Sequence, residues 1–285
     1  MKKVLLLLDT DATPSVFDTI VGYDGGADHV VGYAGMNPQN VGPLIDAAMV
    51  TRVPSEKKNT AIFICGANMA AGEALLNAVR QRFNANYHLS VMLDSNGSNT
   101  TAAAGVAQIG KAVKLSGKKA AVLAGTGPVG LRAAGLFAKE GARVSLTARA
   151  KQNAEAACKL IEARFGVAPS PIEAKDNDAR GAAIEGTDIV FGAGPMGIEL
   201  LEERHWKDEW TIEVIADTNA QAPLGIGGIE AADRGETRHD KLVFGALGIV
   251  GLKLKLHRAC IAQLFQSSDQ VLDAEEIYAL AKTMT

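Results

Sequence analysis

Aromatic residues are scarce in this chain, 5% of the total, and there are only three cysteines, Cys65, Cys158 and Cys260, far apart and odd in number. That usage excludes the disulfide framework of a small secreted domain and makes the cytoplasm the expected compartment. No apolar run approaches the roughly 18 residues needed to span a bilayer. The start, Met1-Lys2-Lys3 followed by apolar residues 4–8, imitates a signal peptide, but Asp9 stops the run after five residues and it reads as a buried strand. An excess of either charge is also missing. Lys and Arg total 29 against 32 Asp and Glu, a net −3, which leaves no cationic surplus for a phosphate backbone or an anionic membrane and argues against nucleic acid and lipid as partners. The five histidines show no HxxxH spacing and the cysteines no CxxC, so no metal site is expected. There is no G-x-S-x-G elbow for serine hydrolysis. The segment Gly66-Ala67-Asn68-Met69-Ala70-Ala71-Gly72-Glu73 follows a strand-like run but lacks the Lys-Ser/Thr pair of a P-loop, which argues against ATP chemistry.

What remains is a globular composition: 285 residues, 47% hydrophobic and 21% charged, enough for two domains or one large one. The 30 glycines exceed the roughly 7% average and cluster after short apolar runs, as they do in strand-to-helix turns. Strand-like segments at 4–8, 60–65 and 90–93 alternate with helical patterns, among them 69–83 with Leu75, Leu76, Val79 and Phe83 on one face. A second series begins at Lys118: strand 119–124, helix 129–140, strand 143–147 and helix 152–165, then strands near 188–191, 212–216 and 242–244. The fold class is therefore α/β, two α/β domains, the second Rossmann-type with a mostly parallel sheet. Between the series lie six polar turn-formers, Asp94-Ser95-Asn96-Gly97-Ser98-Asn99, then an alanine-rich helix to Val113 in which we place the domain crossing. The last helical stretch, 273–282, is too short for a domain and packs back on one.

The strongest chemical signal is Gly125-Thr126-Gly127-Pro128-Val129-Gly130, a GxGxxG that follows an apolar strand and opens an amphipathic helix. The first glycine permits the tight turn, the second lets backbone approach a pyrophosphate, and the third lets helix and strand pack closely. The helix N-terminus adds unpaired N–H groups and positive dipole. A glycine-rich packing turn without a ligand is the plainer reading of such a motif. An acidic residue about 20 positions further on would hold the ribose 2′-OH of NAD. Instead the chain reads Thr147-Ala148-Arg149-Ala150-Lys151, with Arg149 19 positions past Gly130, so a 2′-phosphate and NADP are favoured and NAD is the weaker alternative. Lys151 also reads as an ordinary solvated helix start. Ala193 and Gly194, and Asn219, follow later strands at the edge where open sheets bind ligands, which suits neighbours of the nicotinamide.

Several stretches carry a more specific resemblance: Asp9-Thr10-Asp11-Ala12-Thr13-Pro14-Ser15-Val16-Phe17-Asp18, Gly22-Tyr23-Asp24-Gly25-Gly26-Ala27-Asp28-His29, and residues 92–106, 122–130 and 245–262. Nearly end to end, the chain resembles the NADP-dependent methylene-tetrahydromethanopterin / methylene-tetrahydrofolate dehydrogenases of methylotrophic bacteria. The resemblance implies a pterin-binding domain at 1–105 completed by 260–285, a Rossmann domain at 106–259, and an active site in the cleft between. It implies a homo-oligomer, a trimer, and hydride transfer from an N5,N10-methylene bridge of tetrahydromethanopterin or tetrahydrofolate to NADP. It also points to Lys253 as the functional lysine and Asp18 as a substrate contact.

Residues alone leave both assignments open. Lys253 in Gly251-Leu252-Lys253-Leu254-Lys255 reads equally well as solvated, and Asp18 fits the N3 place of a capping box that starts at Ser15. Asn96, Ser98, Asn99 and Thr100 offer amides and hydroxyls suited to a pterin ring, and equally suited to turn and N-cap chemistry. Two other functions fit the same plan: another NADP-dependent dehydrogenase of a small cyclic substrate, and a non-catalytic NADP-sensing module.

Overall fold

A computed structural model describes residues 1–85 and 87–285. The chain begins with β1 (Val4–Asp9), α1 (Val16–Asp24), β2 (His29–Tyr33) and α2 (Gly42–Val50). It continues through β3 (Thr60–Cys65), α3 (Met69–Arg82), β4 (Ser90–Leu93) and α4 (Ser98–Ala112). Next come β5 (Lys119–Leu123), α5 (Pro128–Lys139), β6 (Arg143–Ala148), α6 (Lys151–Phe165), β7 (Ser170–Glu173) and α7 (Asn177–Ile184). The last elements are β8 (Ile189–Gly192), β9 (Val214–Asp217), β10 (Arg234–Arg238), β11 (Lys241–Phe244), α8 (Ala246–Leu264), β12 (Val271–Leu272) and α9 (Ala274–Lys282). Two compact units result, Met1–Thr100 with Leu254–Leu280, and Thr101–Lys253 with Ala281–Thr285, so both main divisions fall inside helices, α4 and α8.

The first unit is a parallel sheet of order β12-β4-β3-β1-β2. Strands covered by helices on both faces read as continuous apolar runs, and both Val4–Asp9 and the wholly buried Thr60–Cys65 have that character. Leu6, Leu8, Ile62, Ile64 and Val91 pack with Ile45 of α2 and with Leu75 and Val79 of α3, the apolar face that periodicity predicts. α1 starts where Ser15 accepts from the backbone N–H of Asp18, the cap expected of that sequence. Edge strand β2 differs from its neighbours, with Val31 and Tyr33 exposed.

The second unit has the order β10-β11-β9-β8-β5-β6-β7, parallel except for the β10–β11 hairpin. Counted from β5, this is the Rossmann order 3-2-1-4-5-6 with one antiparallel strand added at the edge. Ala121, Leu123, Val190, Ile215 and Val243 form one face of its core with Trp206 and Ile226. The hairpin turns through His239 and Asp240, both at positive φ (48° and 61°), as a two-residue turn matched to the twist of the strands requires. β9 begins two residues later than the apolar run from Ile212 suggests, and β5 stops at Leu123 because Ala124 takes φ 51° to enter the glycine turn.

Candidate functional site

In the second unit the strand order reverses between β5 and β8, the place where an open sheet binds its ligand. The three motif glycines there have distinct surroundings. A Cβ on Gly125 would stand 2.7 Å from Leu146 Cγ, and one on Gly130 would stand 2.5 Å from Gly125 Cα, so these two are needed for packing. A Cβ on Gly127 would meet nothing within 4 Å. The middle glycine therefore borders an open cradle. Gly127 is the N-cap of α5 and supplies no side-chain acceptor, and Pro128 follows at N1, so the N–H groups of the first turn of α5 remain directed to the cradle. Thr147 anchors the turn: its carbonyl accepts from Gly125 N–H at 3.0 Å and its hydroxyl from Ala124 N–H at 3.0 Å. Thr126 is exposed and Val129 half-buried at the mouth. These residues fit a bound dinucleotide.

Beyond β6 the structure sets two exposed cations, Arg149 and Lys151, around the N-terminus of α6, whose N-cap Ala150 likewise supplies no side-chain bond. Lys151 lies 4.0 Å from Glu155, one turn along the helix. Sequence reading missed a third cation. Arg180 of α7 donates to the carbonyls of Leu200 and Ala174, and Ala174 N–H in turn donates to Ala148 O at 2.8 Å, next to Arg149. Burial, with Arg149 close by and Asp176 opposing, pulls the Arg180 guanidinium below its ordinary value. Arg180 comes from an element about 30 residues downstream, so no local spacing could reveal it.

After β8, Ala193 N–H donates to Leu123 O, and a Cβ on Gly194 would stand 2.6 Å from Leu200 Cδ1. Asn219 is buried, and its side chain is used within its own loop, accepting from Gln221 N–H at 3.0 Å and donating to Pro223 O at 3.2 Å.

In the first unit the order reverses between β1 and β3, and the loops there are acidic. Asp9, 1% exposed, accepts from the N–H groups of Asp11 and Ser15, both at 2.8 Å, and Asp11 accepts from Ala67 N–H at 2.9 Å, which ties the two loops together. Gly66, at φ 112°, has no room for a Cβ, which would fall 2.1 Å from Thr10 Oγ1. Burial, reinforced by the carboxylates of Asp18 and Asp9, holds the Cys65 thiol far above its ordinary value, so it donates to those carboxylates and is no nucleophile. Asp18 is thus at the carboxyl end of β3, and the Ser15 N–H that a capping box would direct to it goes to Asp9 instead. Asn96, exposed and at φ 54°, reaches the same end by donating its N–H to Gly66 O at 2.8 Å.

Ser98, Asn99 and Thr100 turn inward. Ser98 donates to Ser95 O at 2.7 Å, Asn99 donates to Leu93 O at 2.7 Å and to Asp273 at 3.0 Å, and Thr100 donates to Asp94 at 2.6 Å. Asp94 is fully buried and lies 3.9 Å from the equally buried His257 of α8, which packs edge-on against Phe63. Lys253 is half-exposed, one helical turn before His257, whereas Lys255 faces solvent. Among the described residues no group of three or more His, Cys, Asp or Glu could hold a metal ion, and no helix is long and apolar enough to cross a membrane.

Comparison with known proteins bears on this arrangement. Residues 16–96 match the family model described as methylene-tetrahydromethanopterin dehydrogenase, N-terminal. The chain is 56% identical over 285 residues, 99% of each chain, to the bifunctional protein MdtA of Methylorubrum extorquens AM1. It is 27% identical over 290 residues, 98% of each chain, to the NAD(P)-dependent methylenetetrahydromethanopterin dehydrogenase of the same organism. Among solved structures, a shikimate 5-dehydrogenase from Mycobacterium fortuitum shares the fold, with a TM-score of 0.52 at 14% identity and 98% coverage of each chain. With more than half its residues identical to MdtA along the whole length, the chain belongs to the methylene-tetrahydromethanopterin dehydrogenase family.

Proposed function

We propose that the protein catalyses reversible hydride transfer from N5,N10-methylene-tetrahydromethanopterin, and from methylene-tetrahydrofolate, to NADP, giving the methenyl form. Membership of the family makes the chain an oxidoreductase of one-carbon metabolism that uses a nicotinamide cofactor. The observation that carries the cofactor reading is the open space at Gly127 between two packed glycines, with Arg149, Lys151 and Arg180 grouped at the end of β6. Gly125 to Gly130 would hold the pyrophosphate, Arg149 with Lys151 the 2′-phosphate, and the turns at Ala193-Gly194 and Asn219 the nicotinamide half. Bound there, the cofactor supplies the hydride acceptor.

The carbon that loses hydride lies between two nitrogens whose lone pairs delocalise the new positive charge, so no proton has to leave and no general base is required. The work left to the chain is orientation and exclusion of water. Asp18 and Asn96, both at the carboxyl end of β3, suit a pterin ring that presents N–H donors, and Ser98, Asn99 and Thr100 stiffen the turn that carries Asn96. Lys253 orients the substrate through a pterin oxygen. We further propose that the enzyme works in the cytoplasm as a homo-oligomer, a trimer, which light scattering on a size-exclusion column measures directly.

Absorbance at the reduced-nicotinamide band tests the reading. Methylene-tetrahydromethanopterin and methylene-tetrahydrofolate, each with NADP and with NAD, give four rates, and the fastest is expected with NADP. Absence of any reduced nicotinamide in all four mixtures would refute the assignment.

A further inference from the structure

β8 and β9 end side by side, Gly192 opposite Asp217. Asp217 is 1% exposed, and the hydrogen-bond donors to it are peptide N–H groups of the loop it begins. Asn219 N–H donates to Oδ1 at 3.1 Å and Ile226 N–H to Oδ2 at 3.1 Å, with the N–H groups of Thr218 and Gly225 also directed at the carboxylate. A Cβ on Gly192 or on Gly225 would stand 2.9 Å or 2.7 Å from Oδ1, so both glycines leave room for the carboxylate. None of Gly192, Thr218, Asn219, Gly225 and Ile226 titrates. Thr218 binds back to Gly192 O through its N–H at 3.1 Å and its hydroxyl at 2.9 Å, which locks the loop to the end of β8. Residues 220–223 are left exposed at the tip.

A carboxylate that spends its oxygens on the peptide groups of its own loop fixes that loop's shape. It does so at the carboxyl edge of the second βαβ half, which in a Rossmann sheet takes the second nucleotide. We propose that Asp217 is a positioning residue: by clasping the 218–226 loop it sets the backbone that holds the nicotinamide half of the cofactor. This rests on the NADP reading above. Burial pushes the Asp217 carboxyl up to about 6, the N–H groups only partly opposing it. Protonation just below neutrality then puts an O–H where peptide N–H groups converge, and the clasp opens.

The test is kcat at saturating NADP from pH 5 to 8, a quantity in which ionisation of the free cofactor's 2′-phosphate plays no part. The wild type is expected to show one acid limb with an apparent pKa near 6 and a plateau above it. Asp217→Asn is expected to lower kcat about tenfold and flatten the limb. Its affinity for 2′,5′-ADP, the half of the cofactor remote from this loop, should stay within about twofold at pH 8. A wild-type kcat that is flat from pH 5 to 8 overturns the proposal even if the variant does not fold. So does an Asp217→Asn enzyme with unchanged kcat and limb. A wild type that does not bind 2′,5′-ADP would instead overturn the NADP reading, which keeps the two failures distinct.

Discussion

Both units are largely parallel sheets whose strand order reverses once, yet the loops at the first reversal are acidic while the glycine turn at the second is uncharged, with cations gathered at the neighbouring strand end. At the β1/β3 reversal, Asp9, Asp11 and Asp18 gather around Cys65 and Gly66, and the polar groups of the loops are used among themselves. At the β5/β8 reversal the turn is glycine, the first turn of α5 keeps its N–H groups available, and three cations stand at the next strand end. In the proposed function the first takes a neutral ring with N–H donors and the second a polyanion. The sheet provides the ledge in each case, and the loop residues choose what rests on it.

Lys253→Met bears on this contrast most heavily. It should lower kcat/KM for the methylene substrate by about 100-fold or more while NADP binding stays within about twofold. Steady-state rates with parallel NADP titrations measure both, and a fully active variant would return Lys253 to the solvent and leave Asp18 as the residue to examine. Arg149→Ala sharpens the anionic side: the KM for NADP should rise roughly 10–100-fold and that for NAD hardly at all, since a charge-assisted pair contributes about 1.5–3 kcal/mol. Equal effects on both cofactors would transfer the 2′-phosphate to Lys151 and Arg180.

Gly127→Ala separates packing from binding. The added methyl enters open space, so thermal stability should fall by no more than about 1 kcal/mol while NADP affinity drops about tenfold. Gly130→Ala forces a methyl onto Gly125, and calorimetry should show a loss of about 1–3 kcal/mol together with the affinity. The smallest effect expected is that of Asp18→Asn. Ser15 still caps α1 through the backbone of residue 18, so stability should change by less than about 0.5 kcal/mol while the KM for the pterin rises about tenfold.

The elements legible in the sequence are those whose own residues settle the matter. Thr60–Cys65 and Lys119–Leu123 are apolar because helices cover both faces, and Ser15 and the glycine motif announce the helices that follow them. Missed strands lie at edges or are very short: β2 is an exposed edge strand, β7 contains Pro171, β10 reads Arg-Gly-Glu-Thr-Arg, and β12 has two residues. The glycine cradle could be read because its parts are consecutive. Arg180 and Asp217 could not, because the fold brings them into place from separate strands and helices, and neither sits in a spacing that chemistry demands.

The edges of the second sheet have a consequence for crowded solutions. An open sheet ends in unpaired peptide groups that another chain can extend, and natural sheets blunt such ends with proline, charge or a bulge. Here Pro171 removes a donor from β7, while β10 presents Arg234, Glu236 and Arg238 and shifts register between its first two pairs. Both flanks of the unit that carries the glycine turn are thereby blunted against strand-to-strand pairing with a nascent or partly unfolded copy.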